Sequence, residues 1–386
     1  MHIHDAVIIG GGPVGCAAAI ALADAGLNVA VLEANEENQR APDNRTLALS
    51  WNSRLILERL EAWPADLPAT PIETIYVSHR GQFGRACMNA TDLNLTALGY
   101  VLRFSDMHRA LLARTQASQI DYRSGFKVTA VEVCSPLSEI TGLTAAGANV
   151  LRARLVVVAD GGAALADSAA RIIRDHDYGQ RAVVGLVRPD RSHKNCAYER
   201  FTPTGPIALL PCGDEFAFVW TCNPVQADTL LSLTDDAFLL ELREAFGDRA
   251  GRLIGVRLRF AFPLRLRVMR QRHEAGLVLL GNASQTLHPI AGQGFNLGLR
   301  DAWDLADVAR AFPVDVIGSP AMTSQFRKQR RADRVGGIGF THGLAKLFSS
   351  DITPLAMGRG FGLAILDAFP PVKRQLMRRM IFGTGS

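Results

Sequence analysis

The chain is poor in cysteine, and the few cysteines it has form no pattern. Its 386 residues hold six (Cys16, Cys87, Cys134, Cys196, Cys212 and Cys222), with no CxxC pair and no metal-ligand spacing. This excludes a disulfide framework and a structural zinc site, so free thiols in a reducing compartment and no metal are expected. Charged residues are only 20% of the chain against 48% hydrophobic ones, a balance that excludes a disordered polyelectrolyte. The surplus of +5 is spread along the sequence rather than gathered in a block, and no nucleic-acid partner is expected. Long apolar runs are missing too: none reaches the roughly 18 residues of a membrane span. No basic leader precedes the opening strand "MHIHDAVIIGGG". The expected location is cytoplasmic, with peripheral attachment to the inner membrane left open.

What is present begins at once. "DAVIIGGGPVGCAAAIALADAGLNVAVLEA" reads as strand, tight turn, helix, strand. Gly10, Gly12 and Gly15 form G-x-G-x-x-G at the junction. In this motif Gly10 allows the turn, Gly12 lets backbone approach a pyrophosphate, and Gly15 lets helix and strand pack closely. Pro13 opens the helix, whose N-terminal N–H groups suit phosphate. Glu33, at the end of the second strand, is placed to hold a ribose hydroxyl. Together these predict a dinucleotide site.

Two later segments share the style. "LRARLVVVADGG" ends a buried strand on Asp160 and Gly161, and "GLVLLGN" leads into "GNASQTLHPIAGQGFNLGLRDA" and a helix. Between them, "AVVGLVRPD", "IALLPCGDEFAFVWTCN" and "GVRLRFAFPLRLRVMRQ" alternate in the manner of an antiparallel sheet. The tail from about residue 330 looks helical. The fold class expected is α/β: a Rossmann-like nucleotide-binding domain (1–75, 99–175 and 273–330) interleaved with an antiparallel-sheet substrate domain (76–98 and 176–272), plus C-terminal helices (331–386).

In its GxGxxG, Asp-Gly and Pro-x-x-Gly-Gln-Gly segments, taken in that order, the chain resembles the group A flavoprotein aromatic hydroxylases, the para-hydroxybenzoate hydroxylase-like family. "DNRTLALS", "GNASQTLHP" and "LDAFPPVKRQLMRR" are similar to the ubiquinone-biosynthesis branch, most of all its 2-polyprenyl-6-methoxyphenol hydroxylases. The resemblance implies FAD as cofactor and NAD(P)H as a transient reductant, since a single GxGxxG is present. It also implies O2 and a polyprenylated phenol as substrates, with a flavin C4a-hydroperoxide hydroxylating 2-polyprenyl-6-methoxyphenol to 2-polyprenyl-6-methoxy-1,4-benzoquinol. Either a membrane surface or a ubiquinone-biosynthesis complex would deliver so insoluble a substrate. Hydroxylation at another ring position, another flavin oxidation on the same scaffold, and a flavin-weak structural subunit remain as alternatives.

By resemblance, Gly281 and Asn282 lie at the ribityl and pyrophosphate part of the flavin. Pro289, Gly292, Gln293 and Gly294 would pass beside its ring, and Asn296 would add a contact from the following helix. Arg45 would reach the flavin or its phosphates. His288, with Pro289 at the active-site mouth, would handle a phenolic proton. Two departures stand out: the Ser usual after Asp160-Gly161 is missing from "GGAALAD", and Ser105 stands where an Arg is usual. The tail "GFGLAILDAFPPVKRQLMRR" joins an apolar half to Lys373, Arg374, Arg378 and Arg379, and suits either an anionic surface or packing on the core.

Overall fold

The computed structural model describes residues 3–36, 43–81, 83–162, 172–269, 275–286, 293–348 and 353–383, with backbone alone at 293, 338, 340–348, 353–359 and 361. His288, Pro289 and Gly292 lie outside the described residues, as does the Gln293 side chain. The chain opens with β1 (Ile3–Ile9), α1 (Pro13–Ala23) and β2 (Val29–Leu32). β3 (Thr46–Ser50), α2 (Trp51–Arg59), β4 (Thr70–Ile72), β5 (Thr74–His79), β6 (Arg85–Asn89) and β7 (Gly99–Arg103) follow, then α3 (Phe104–Gln116), β8 (Asp121–Arg123), β9 (Lys127–Glu132), β10 (Ser138–Thr144) and β11 (Gly147–Val158).

Among the described residues seven strands make the first sheet, in the order β8-β2-β1-β11-β10-β9. The seventh, β17 (Leu277–Leu279), runs parallel to the C-terminal part of β11 while β10 pairs antiparallel with its N-terminal part. β1, β2 and the end of β11 are apolar without alternation because protein covers both their faces. α1 is buried nearly all round, as an Ala-rich helix with no polar face must be. It closes in a Schellman turn: Gly26 N–H donates to the Ala23 carbonyl and Leu27 N–H to the Leu22 carbonyl, with Gly26 at φ 88°.

The second sheet has eight strands among the described residues, built mainly from β12 (Ile172–Pro189), β13 (Cys196–Thr202), β14 (Gly205–Cys212), β15 (Glu215–Cys222) and β16 (Leu253–Met269). β5 and β6 extend one edge, and β18 (Gln285–Thr286) caps the other. β12 and β16 pair along most of their length, so one antiparallel ribbon links this sheet to the first. α4 (Pro224–Ser232) and α5 (Asp235–Phe246) cover the outer face over a core of Phe216, Phe218, Trp220 and Phe238. A small sheet, β3-β7-β4, closes the gap between the two large ones.

The chain ends in α6 (Gln293–Arg310), α7 (Pro320–Phe348), α8 (Thr353–Ala368) and α9 (Pro370–Phe382). α7 is continuous through the boundary expected after residue 330. Among the described residues no helix is long and apolar enough to cross a membrane.

Candidate active site

One cavity of ≈ 1220 Å³ runs between the two large sheets, from the β1–α1 turn to the terminal helices. Single small-molecule sites occupy about 300–1,000 Å³, so there is room for a cofactor and a substrate together.

Its first end is backbone. Gly10 sits at φ 107°, and a Cβ there would stand 2.7 Å from the backbone of Asp160. The β1–α1 turn and the end of β11 therefore touch. A Cβ on Gly15 would fall 1.9 Å from the Gly10 carbonyl oxygen, so α1 reaches the turn only because that position lacks a side chain. Gly12 differs: it is the N-cap of α1, lines the cavity, and a Cβ there would meet nothing within 4 Å. The α1 N-terminus carries no side-chain cap and no acidic residue in its first turn. Its N–H groups and positive dipole end suit a phosphate.

Glu33 is buried at this end, accepting the Gly11 N–H (2.8 Å) on one oxygen and the Asn35 backbone N–H (3.0 Å) and side-chain amide (2.8 Å) on the other. Gly11, an unspecified position of the motif, proves as constrained as its neighbours. A Cβ there would approach the Tyr122 hydroxyl to 2.5 Å, and the His108 Nε2–H donates to the Gly11 carbonyl at 2.8 Å. Neither Tyr122 nor His108 announces itself in the sequence, because each arrives from a distant element. Arg45 lines the cavity half-exposed, its Nε 2.9 Å from an oxygen of Asp43 and its guanidinium 5.2 Å from the Phe104 ring centroid. Burial pulls the Asp43 carboxyl up, but the bonds from Arg45 outweigh it and leave that group below its ordinary range. Ser105, where an arginine was expected, is exposed on α3.

In the middle of the cavity stand Asp160, Gly161, Gly281, Asn282 and Gly294. The Asp160 carboxylate accepts the Gly162 N–H at 2.8 Å, and Gly161 (φ 77°) and Gly162 (φ 97°) both take positive φ. Asn296 lines the cavity, but its amide is engaged with protein. Its oxygen accepts from Ser50 N–H (2.8 Å) and Ser53 Oγ (2.7 Å), and its nitrogen donates to the Ala48 carbonyl (2.9 Å). That ties the start of α6 to the β3–α2 junction. The start of α6 has no acid in its first turn, so a second helix N-terminus opens on the same cavity.

Behind this region lies an ion network. The Gly281 N–H is 3.4 Å from Asp301 Oδ2. Arg330 binds Asp301 (2.7 Å), Asp304 (2.8 Å) and Asp333 (2.9 Å), and Arg300 binds Asp333 (2.8 Å). Burial alone would lower the pKa of Arg330; its three carboxylates push it well above the ordinary value instead.

The far end of the cavity is apolar. The inner sheet face supplies Ala197, Phe201, Ala208, Leu210, Val219 and Phe262. β5, β6, α8 and α9 add Ile75, Met88, Leu363, Leu376, Met380 and Ile381. Among the described residues one carboxyl interrupts this wall, that of Glu199 on β13. It keeps slight exposure to the cavity, yet protein encloses it at longer range, and that burial pushes its pKa up to about 7.

The tail resolves into two faces. Met377 and Ile381 are buried, while Arg374, Arg378 and Arg379 are exposed. Lys373 does not belong with the solvated arginines: its ammonium donates to the Cys87 carbonyl at 3.0 Å and sits 3.3 Å from Asp92.

Comparison with known proteins places these features in a lineage. A family profile described as FAD binding domain matches residues 4–311. The chain is 32% identical to a ubiquinone hydroxylase of Rhodospirillum rubrum, covering 97% of this chain and 89% of that protein. It is 30% identical to the 3-demethoxyubiquinol 3-hydroxylase of Escherichia coli, covering 97% of each. Its fold matches a solved p-nitrophenol 4-monooxygenase from Pseudomonas putida with a TM-score of 0.76 at 18% identity, over 98% of this chain and 97% of that one.

Proposed function

The chain belongs to the FAD-binding-domain family, and on that premise we propose that it is an FAD-dependent monooxygenase hydroxylating the ring of a polyprenylated phenol in ubiquinone biosynthesis, with NAD(P)H and O2 as co-substrates. One observation carries the reading: one cavity joins a glycine turn and helix N-terminus suited to a phosphate at one end to an apolar chamber at the other. The substrate favoured is 2-polyprenyl-6-methoxyphenol; hydroxylation of a neighbouring ring position uses the same geometry.

The residues present fit FAD. Gly12 and the uncapped start of α1 would hold the pyrophosphate, Glu33 the adenosine ribose, and Asp160, Gly281 and Asn282 the ribityl chain. The backbone around Gly294 would lie along the ring. Bound there, FAD would take hydride from NAD(P)H and activate O2 for transfer of one oxygen atom to the aromatic ring. The chain's own part is to fix the aromatic ring, exclude water and place charge. The positive end of α6 favours negative charge beside its N-terminus, and the apolar chamber walls keep bulk water from the reacting atoms.

The chamber between β5, β6, α8 and α9 has the chemistry of a prenyl-chain seat. Leu376→Trp, on the cavity side of α9, adds bulk there. Overfilling costs about 1–3 kcal/mol, so KM for a long-chain prenylated phenol is expected to rise about tenfold or more, with KM for an unprenylated phenol unchanged. Equal effects on both substrates, measured in steady-state assays, would remove the prenyl chain from this chamber.

Delivery at a lipid surface is the second element of the proposal. Ile365, Phe369 and Val372 are more than half exposed near the α8–α9 junction, and Arg374, Arg378 and Arg379 are exposed on α9. Apolar and basic groups together suit an anionic bilayer. The protein is expected to float with anionic vesicles at low salt, and a Phe369→Ser, Val372→Ser variant to remain behind. Equal flotation of the two would assign the surface another role.

A further inference from the structure

On β13, Ala197, Glu199 and Phe201 share the side that faces the cavity. Tyr198 also borders the cavity, but its ring packs on Phe216 and Phe246. The flanking strands set Val77 and Ala208 level with Glu199, and both line the cavity. Charged or titratable groups on the surrounding elements are engaged elsewhere or outward. His79 of β5 bonds the Arg80 carbonyl, Asp367 of α8 accepts the Cys87 N–H, and Lys373 of α9 holds Asp92. On the sheet itself, Arg200 takes the face opposite Glu199 by strand alternation, and Cys212 lies at the far end of β14. Among the described residues the Glu199 carboxyl has no hydrogen-bond or ion-pair partner, and burial is the one influence on its titration.

A partnerless carboxyl in an apolar wall is costly unless a ligand supplies a donor. The ligand class proposed above carries one, a phenolic O–H. Resting on that reading, we propose that Glu199 is the proton acceptor for the hydroxyl group of the aromatic substrate. The phenol O–H bond breaks, the proton passes to a Glu199 carboxylate oxygen, and the freed electron pair moves into the ring as its carbon bonds one oxygen of the O2 that FAD would activate; the O–O bond breaks, and the departing oxygen keeps its electron pair and is protonated. Rearomatisation then releases the ring hydrogen to solvent as a proton, and Glu199 returns its own to the phenolic oxygen. A carboxyl held near neutrality is better matched to a phenol, whose own pKa is about 10, than an ordinary carboxylate is.

The test uses the FAD-loaded protein with 2-prenylphenol and its methyl ether, which lacks the O–H. In the wild type, preference for the phenol over the ether, measured as a ratio of Kd values, is expected to grow as pH rises through about 7 and Glu199 ionises. Glu199→Gln should show a flat ratio, bind FAD normally, and hydroxylate about 100-fold more slowly with the pH dependence near neutrality gone. Glu199→Asp, which keeps a carboxyl, should restore part of the rate and a pH-dependent ratio. A Glu199→Gln protein with the wild-type rate, ratio and pH profile would overturn the assignment. If the wild type yields no hydroxylated product yet shows the pH-dependent phenol preference, the functional reading fails and Glu199 still recognises phenols.

A thermal scan checks placement without any substrate. A carboxyl whose folded pKa is raised from 4.5 to about 7 contributes stability below its unfolded pKa that is lost as pH rises through 7. The unfolding midpoint of Glu199→Gln should therefore gain on that of the wild type between about pH 5 and about pH 8. A constant difference would mean that Glu199 is solvated.

Discussion

Gly12→Val is expected to leave the protein folded and to abolish its FAD binding. Gly12 has φ −74° and ψ 175°, an extended conformation that valine adopts readily. Among the described residues a Cβ there meets no atom within 4 Å beyond its chain neighbours, so the branch point of valine has open space. The new side chain instead enters the cavity beside the first N–H groups of α1. Hydrogen bonds to charged acceptors contribute about 1.5–3 kcal/mol each. Losing two of them to a phosphate weakens binding by about 100- to 10,000-fold. Calorimetric titration with FAD, beside a circular dichroism spectrum, measures both halves of the claim. Gly15→Ala gives the contrast, because its Cβ would lie 1.9 Å from the Gly10 carbonyl oxygen; stability and FAD binding should fall together. Wild-type FAD affinity in a folded Gly12→Val protein would place the pyrophosphate elsewhere.

Arg330→Ala is expected to lower stability by about 3–5 kcal/mol, the usual cost of stripping one partner from a buried ion pair. The Arg330 side chain is 4% exposed and holds Asp301, Asp304 and Asp333. Its removal leaves carboxylates under protein with fewer cations. Asp301 also reaches the Gly281 N–H, so the damage extends to the turn assigned to the flavin, and FAD should dissociate more readily. Arg330→Lys should recover only part of the loss, since an ammonium lacks the planar fork that reaches three acids. Urea unfolding of the apo-protein isolates the stability term. An Arg330→Ala midpoint within error of the wild type would make the network dispensable.

What could be read from the chain alone was local. The β1–α1 turn is legible because strand, glycines, helix and Glu33 lie within one short segment; within it Gly15 answers to the Gly10 carbonyl, whereas Gly10 answers to distant Asp160. Gly11 carries no such signal because its tightest contact, the Tyr122 hydroxyl 2.5 Å from a Cβ, comes from far along the chain, with Glu33 at 3.1 Å beside it. The alternating pattern of β14 and β15 announced an antiparallel pair, yet alternation cannot tell which face meets a cavity. Glu199 lies on β13, outside the segments whose pattern reads as strand, and carries no local signal of its own. The resemblance implies a cofactor contact for Asn296, which lines the cavity; what the chain alone does not show is that its amide ties Ser50, Ser53 and Ala48 together. Lys373 looked like one more charge in a basic tail, and only the packing of α9 on β6 shows it bound to Cys87 and Asp92. The acids and arginines of α6 and α7 have the spacing of solvated helix faces, and the pairing that buries them is tertiary.

The most direct test of the account is the fate of oxygen. Purified protein is loaded with FAD and given NAD(P)H, a prenylated phenol and heavy-isotope dioxygen, and the product is examined by mass spectrometry. The account predicts a ring-hydroxylated product carrying one heavy oxygen atom, formed in step with NAD(P)H oxidation and absent when Gly12→Val replaces the wild type. Oxidation of NAD(P)H that yields only hydrogen peroxide, with the phenol recovered unchanged, would contradict it.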